Sequence, residues 1–484
     1  MSTFSGIGTA LSALIAQRTA LDVAGQNVAN ANTTGYTRQR AELTALTGAQ
    51  VPSMFAASNG VGSGVRVTAI SRAADSFLDA RVRSQTSGAE YLAARADIYT
   101  TLEKSLGEPS TTGLASQLST FWNDWHDVAN SPDKSSARTV LLDDARQIAD
   151  TLHQLYDSVG TQWRQTRITA NGLVEQANAL AAGVADLNAR ILATTVAGGN
   201  AHELADQRDL LVTQLSGLVG ATAQVRQDGQ IDVLVGGNAL VFGADARALS
   251  LQGAADFAQA TGDAAGVPPV PGQGVWLAWA DRPDQQVQAS GGRVAGLLTA
   301  LAAPSGDGTG GMLTEAAGRL DEVARALVTA VNTQHLNGVT AGGAPGTEFF
   351  TPLGPGSAAA QIGVALTDPA AIAVAAAGMG ANDGSIGRAI AGIGLLQDGP
   401  DGTWSAVVVE IGNRTAAARS RSDVAGSARA SAEQEQLANA SVDTDEEAMA
   451  MIAAQRAYEA AARVLTAIDE MLDTLINRTG VVGR

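Results

Sequence analysis

Cysteine is absent from the 484 residues. That removes disulfides, thiolate metal sites and cysteine nucleophiles, and it leaves the compartment open. A chain exported unfolded through a narrow channel has no use for cross-links, so export fits this absence. Basic charge is scarce too: 31 Lys and Arg stand against 48 Asp and Glu, a formal net charge of −17. The lysines are Lys104 and Lys134 alone. Phosphate binding needs a basic footprint, so the composition argues against nucleic acid. The same acidity argues against anionic membrane surfaces, and its plain reading is solubility. Aromatics make up 4% of the chain, and Ala and Gly carry much of the apolar count, which suits close-packed helices better than one thick core. No run approaches the roughly 20 apolar residues of a membrane span. Met1–Ala16 lacks the charged and apolar regions of a cleavable signal, so any exit from the cytoplasm would leave the N-terminus intact.

Chemistry-bearing residues are scattered. His126, His153, His202 and His335 have no metal-ligand spacing and read as chance helix positions. Asp143-Asp144 and Glu446-Glu447 are adjacent, so they point apart on a helix and read as solvated faces. Asp443, Asp445 and Glu447 resemble a calcium loop only faintly, with no Gly at the sixth position. Glycine clusters at 60–64, 378–387 and 392–394 complete no dinucleotide or Walker pattern, and read as turns or packing contacts. No Gly-x-Ser-x-Gly elbow has a plausible His and acid around it. Neither catalysis nor a cofactor nor a metal is expected.

What the chain does have is helix. Phe4 to Ala29 places Ile7, Leu14, Leu21 and Val28 seven residues apart, flanked by Phe4 and Leu11. That spacing keeps a narrow apolar stripe toward a partner in a supercoil. It stops in Asn30-Ala-Asn32-Thr-Thr-Gly35. Residues 37–71 read as extended, with Val61-Gly-Ser-Gly-Val65 as a flexible point. Helices are expected at Tyr91–Leu106, Leu114–Ala129, Ser135–Thr194 and Ala201–Leu218. Ser131 is the candidate N-cap of the long one, with Pro132 at its first helical position.

After Gly220 the pattern alternates. Val225 and then Ile231, Val233 and Val235 flank Asp228-Gly229, a hairpin signal. Further strands are expected at 239–242, 275–280 and 285–289, with a loop from Gly253 to Gly274. Helix returns at Arg293–Leu301 and Leu313–Leu336. A short β element is expected at Gln361–Leu366, then helix at Ser385–Leu396 and Ala406–Ile476. The last helix holds a two-row heptad seam: Met451, Tyr458, Leu465 and Leu472, followed at three residues by Ala454, Ala461, Ile468 and Leu475. Asp445-Glu-Glu447 near its start suits the helix dipole. The two terminal helices are each other's simplest partners, within one chain or between neighbours.

Two strings carry a resemblance. Asn27-Val-Ala-Asn30-Ala-Asn32-Thr-Thr-Gly35-Tyr36-Thr-Arg38-Gln, and Asp445-Glu-Glu through Gln455-Arg-Ala-Tyr458 to Ile468-Asp-Glu-Met-Leu472, resemble the axial proteins of the bacterial flagellum. The interior narrows this. Leu106-Gly-Glu-Pro109, Gly113-Leu114, Ala137-Arg138, Asp206-Gln-Arg-Asp209, Gly291-Gly-Arg-Val-Ala-Gly296, Asn332 with His335 and Gly338, and Gly346-Thr-Glu-Phe-Phe350 resemble the family of the first hook-associated protein. The motif positions Asn30, Asn32, Gly35, Tyr36 and Gln455 are carried over with it. The likeness is weakest over 222–290.

The expected fold is mainly α with inserted β. Residues 1–71 pair with 431–484 as an axial coiled coil, 72–218 with 291–430 form an elongated multi-helix domain, and 219–290 form a small β insert. The resemblance implies a structural subunit at the hook–filament junction. Its implied partners are copies of itself, hook protein, a second junction protein and an export chaperone at the C-terminal helix. It implies an extracellular place reached by flagellar type III export. The alternatives are a rod or hook subunit, or an extracellular hydrolase carried in the β insert on Asp228, Asp232 and Asp245.

Overall fold

The computed structural model describes residues 3–47, 62–262, 273–304 and 311–478. Val61 of the expected flexible point, and 263–272 of the expected loop, lie outside them. Helix α1 (Thr3–Ala29) leads into a hairpin of β1 (Gln39–Leu46) and β2 (Gly64–Arg72), paired antiparallel from Gln39–Arg72 to Leu46–Gly64. Gly64, at φ +109°, lies on α1 so closely that a Cβ would collide with the Ser12 hydroxyl. The extended segment therefore covers one side of α1.

Helix α2 (Ser76–Leu106) starts well before Tyr91, because Asp75 caps it by accepting from the Phe77 and Leu78 amides at 2.8 and 3.3 Å. Helices α3 (Leu114–Asn130) and α4 (Ser135–Val196) follow, the latter 62 residues long. The expected cap at Ser131 is corrected: Ser131 closes α3 through its N–H on the Asp127 carbonyl, 3.0 Å away. The Pro132 carbonyl is held by the buried Arg138 guanidinium at 2.9 and 3.1 Å, so that turn stays unwound and α4 begins at Ser135. Leu118, Phe121, Trp125 and Val128 of α3 and Leu141, Ile148 and Leu152 of α4 are wholly buried. Phe121 and Trp125 meet Phe349 at centroid distances of 6.0 and 5.2 Å. Over 18 residues α4 is apolar enough to pass for a membrane span by length and composition. Val174, Val184, Leu187 and Ile191 of that helix are buried within the protein.

After α5 (His202–Val219) come β3 (Thr222–Val225), β4 (Ile231–Val235), β5 (Asn238–Phe242) and β6 (Asp245–Ala246), a four-stranded antiparallel sheet in chain order. Gly229, at φ +83°, makes the expected turn between β3 and β4. Ile231, Val233 and Val235 point inward onto α4 and α5, whereas Val225 is exposed. A second sheet joins β7 (Leu249–Gly253), β8 (Val275–Trp279) and β9 (Arg282–Gln286). The loop expected from Gly253 is corrected in part: Asp256 caps a short helix, α6 (Phe257–Thr261), whose Phe257 lies over Gly160 of α4.

Helices α7 (Gly292–Ala300) and α8 (Met312–His335) return to the bundle. Next come β10 (Gly338–Val339), α9 (Ala358–Gln361), β11 (Ala375–Ala376) and α10 (Ser385–Ala391). The β element expected at Gln361–Leu366 reduces to a single bridge, Phe350 to Val364. Ser357 and the buried Asp321 accept the Ala360 and Ala359 amides, which winds that stretch into α9.

The helix expected over Ala406–Ile476 is two: α11 (Pro400–Ala440) and α12 (Thr444–Asp473). Asp443 ends the gap by accepting from the Asp445 and Glu446 amides at 2.9 and 3.2 Å. Its carboxylate is a cap, and no cluster of metal-ligating side chains occurs among the described residues. Helix α11 lies along α2, with the Thr415 hydroxyl donating to the Tyr99 carbonyl at 3.3 Å and Arg429 paired to Glu90 at 3.0 Å. The fold is thus mainly α with inserted β.

Candidate functional site

Helices α1 and α12 lie side by side and antiparallel. A Cβ on Gly6 would stand 3.0 Å from Ile468 Cδ1, and at the other end Asn27 meets Glu447. Asn27 follows Gly6 by 21 residues and Glu447 precedes Ile468 by 21, so both helices advance in step. That is roughly 32 Å of paired helix at about 1.5 Å per residue.

At the root of this pair, three strings distant in sequence converge. Asn27 is 1% exposed and fully paired. Its Nδ2 donates to the Gln39 carbonyl at 2.9 Å and to Glu447 Oε2 at 3.1 Å. Its Oδ1 accepts from the Tyr36 hydroxyl and the Gln39 amide, both at 2.9 Å. Arg38 Nε donates to Glu447 Oε1 at 2.6 Å and its Nη1 to Glu446 Oε2 at 3.0 Å. The Thr37 amide donates to Asp206 Oδ2 at 3.1 Å. Arg72 then bridges Asp206 and Asp209 at 2.5 and 3.0 Å. The N-terminal string, the Asp206–Asp209 string of α5 and the first turn of α12 are one network. A cleft of about 430 Å³ opens beside it, with Thr33, Gly35, Arg83, Asp209, Gln436 and Asn439 in its walls.

The electrostatics follow from this burial. Burial, then Glu203, Asp206 and Glu447, push the Tyr36 phenol up to about 12. Burial works against the Arg38 charge, but Glu447 and Glu446 outweigh it and hold the guanidinium above its ordinary value. Burial also raises the Asp206 carboxyl, despite Arg72 and the Thr37 amide. A buried carboxylate is tolerated where an opposite charge and hydrogen bonds replace its water. Glu447, 3% exposed, corrects the expectation of a solvated Glu446-Glu447 face, because Arg38 and Asn27 satisfy it.

The other motif positions stay local. Asn30 donates to the Gln26 carbonyl and accepts from the Thr33 hydroxyl, both at 3.1 Å. Asn32 is exposed, Gly35 turns at φ +83° over Leu210, and Gln455 reaches Glu459 on the surface of α12. Along the seam, Ile7, Leu14, Leu21, Met451, Leu465, Ile468 and Leu472 are half-buried. Leu11, Val28, Tyr458 and Leu475 are 50%, 39%, 42% and 53% exposed. The side chain of Phe4 lies outside the described residues. Among the described side chains of α1, the buried ones are instead Ala10, Ala16, Val23, Ala24 and Asn27.

A second buried network fixes the interior strings. Asn332 takes the Phe349 and Phe350 amides at 3.0 and 2.9 Å and donates to the Phe350 carbonyl at 2.8 Å. The wholly buried His335 lies 2.5 Å from the Thr347 carbonyl and accepts the Ala373 amide at 2.9 Å. Burial lowers its pKa, so the ring is a neutral packing group. In the β insert, Asp228 accepts from the Gln230 amide and Asp232 from the Gly243 amide, while Asp245 is exposed on β6. Asp228 and Asp232 thus serve turns.

Asn27, Arg38, Asp206 and Asp209 stand in the family-like strings, but no local pattern assigns them a role. Arg72 carried no signal. A buried-type Asn inside an apolar helical stripe was the one available hint.

Comparison with known proteins extends this geometry. Residues 99–350 match the family described as "Flagellar hook-associated protein FlgK helical domain". Residues 7–37 match "Flagella basal body rod protein" and 433–478 match "Flagellar basal body rod FlgEFG protein C-terminal". The chain is 30% identical over 518 residues to flagellar hook-associated protein 1 of Bacillus subtilis (strain 168), covering 100% of both. It is 28% identical over 353 residues to that of Escherichia coli (strain K12), covering 71% of this chain and 59% of the relative. The fold is similar to that of the flagellar hook junction protein FlgK from Burkholderia pseudomallei, at TM-score 0.61 and 16% identity, over 75% of this chain and 100% of that one.

Proposed function

Since the chain belongs to the flagellar hook-associated protein 1 family, we propose that its work is mechanical, and that its neighbours are copies of itself, hook protein on one side and a second junction protein on the other. It is a structural subunit joining hook to filament. The observation that carries the mechanism is the network of Asn27, Arg38, Asp206 and Glu447, which locks the paired terminal helices to the helical bundle. Outside that lock the pair keeps large apolar side chains uncovered, among them Leu11, Ile15, Ile452, Val464 and Met471. Such surface asks for burial against another chain, at about 1.5–3 kcal/mol per fully buried large side chain.

In this reading 1–71 and 431–484 form the axial unit lining a channel, 72–218 with 291–430 form the second shell, and 219–290 faces outward. The subunit reaches the cell exterior by flagellar export with its N-terminus intact. A chaperone holds α12 until then, covering Leu465, Ile468 and Leu472. The rod-type matches at the two ends are compatible with a rod or hook subunit, but the match over 99–350 favours the junction.

Deleting the gene tests this. Hooks retained without filaments, with flagellin monomers in the medium, are the expected result, and normal filaments overturn the reading. Replacing Leu465 and Leu472 together by Asp is expected to abolish junction assembly. Assembly at the wild-type level by that variant refutes the seam.

A further inference from the structure

We propose that the cleft between α2, α7, α8 and α11 is a binding site for an organic carboxylate. It has a volume of about 520 Å³ and is lined by the Tyr91–Tyr99 stretch of α2 and the Arg414–Arg421 stretch of α11. Three arginines line it, Arg95, Arg414 and Arg421, and among the described residues none of those lining it is acidic. In a chain of formal charge −17 such a grouping of guanidinium groups is a local exception.

The three cations are differently placed. Arg414 already pairs with Glu315 at 2.9 Å and Glu410 at 2.5 Å, so its charge is largely committed. Arg95 donates to the Tyr91 hydroxyl at 3.2 Å, and its guanidinium carbon stands 5.5 Å from the Tyr91 ring centroid. That contact holds the planar fork in place and leaves further N–H donors for a ligand. Arg421 is exposed. Among the described residues neither Arg95 nor Arg421 has a carboxylate oxygen within 4.0 Å. Met312, the first residue of α8, is also in the wall. That 24-residue helix has no side-chain cap at its N-terminus, and Glu315 in its first turn, paired with Arg414, offsets part of the positive end of its dipole.

The walls decide the kind of anion. Tyr91, Tyr99 and Met312 present apolar surface beside the guanidinium groups. Such a site favours a carboxylate carried on an apolar body over a bare inorganic anion. That chemistry has two sources: a free organic acid, or an acidic side chain of a second copy, whose surface is rich in carboxylates. The second source rests on the assembly reading above, and the first does not.

Isothermal titration of the dilute full-length chain with 4-hydroxyphenylacetate, its neutral amide and sulfate tests the first source. Saturable binding of the acid is expected, about tenfold or more tighter than the amide or sulfate, and lost in the double variant R95Q/R421Q. The variant R95K/R421K, which keeps the charge, is expected to recover part of it, and thermal melts establish that both variants fold. If no free acid binds, the second source requires R95Q/R421Q to weaken concentration-dependent self-association at least about tenfold. Equal binding of acid and amide overturns the proposal, as does undiminished binding by R95Q/R421Q. So does the absence of both free-acid binding and any change in self-association.

Discussion

Asn27 Nδ2 donates to Glu447 Oε2 at 3.1 Å, joining residues 420 positions apart in one buried contact. Because the same carboxylate takes Arg38 Nε on its other oxygen, the end of α1, the start of β1 and the first turn of α12 cannot separate without exposing unpaired polar groups. The contact locks α1 and α12 to the segment that opens β1.

Asn27→Ala should open that lock. It removes two donors and one shared acceptor, leaving the Gln39 amide and carbonyl unpaired. About 1–3 kcal/mol is expected for each buried group left without a partner. Denaturant unfolding should give the loss, and hydrogen exchange should place it in α1, β1 and α12. Unchanged protection in α12 would count against coupling.

Tyr36 makes the lock sensitive to strong alkali. Burial, with nearby carboxylates, puts its folded pKa near 12, above the ordinary value of 10.0. A raised folded pKa means full stability below the unfolded value and loss as pH climbs through about 10 to 12. Tyr36→Phe should flatten stability across that window, at the expense of about 1 kcal/mol at neutral pH from the lost hydrogen bond to Asn27. Thermal melts of both chains against pH read the difference.

Asp124 of α3 titrates in the opposite region. Burial first, then a hydrogen bond to Asp144 of α4 and the charges of Asp144 and Asp127, raise it to about 7. Its neutral form belongs to the folded state, so this contribution is complete below about 4 and disappears as pH rises through 7. Asp124→Asn should therefore melt higher than the wild type at pH 8 and about equally at pH 4. Equal pH profiles for both chains would rule this out.

Gly296 fixes the approach of α7 to α2. A Cβ there would stand 2.6 Å from the Tyr91 carbonyl oxygen and 2.8 Å from Ala94 Cβ. Gly296→Ala should cost about 1–3 kcal/mol through overpacking, with a lower denaturation midpoint at unchanged slope.

The readable parts of this protein are its periodic parts. Heptad spacing placed α1 and α12, alternation placed β4 with its turn at Asp228-Gly229, and the long apolar period of α4 stood out. Local competition hid the rest. The caps Asp75, Asp256 and Asp443 set helix ends that hydrophobic spacing does not mark. Arg138 overruled the Ser131-Pro132 signal by seizing a carbonyl from within the core.

The helical character, the inserted strands and the apolar stripes of α1 and α12 follow from residues a few positions apart, so the amino-acid order is enough to read them. The sharing of one network by Asn27, Arg38, Asp206 and Glu447, and the burial of Glu447 but not Asp445, come from long-range packing. A carboxylate can leave water only where a guanidinium and an amide replace its solvent, and no local pattern announces partners hundreds of residues away.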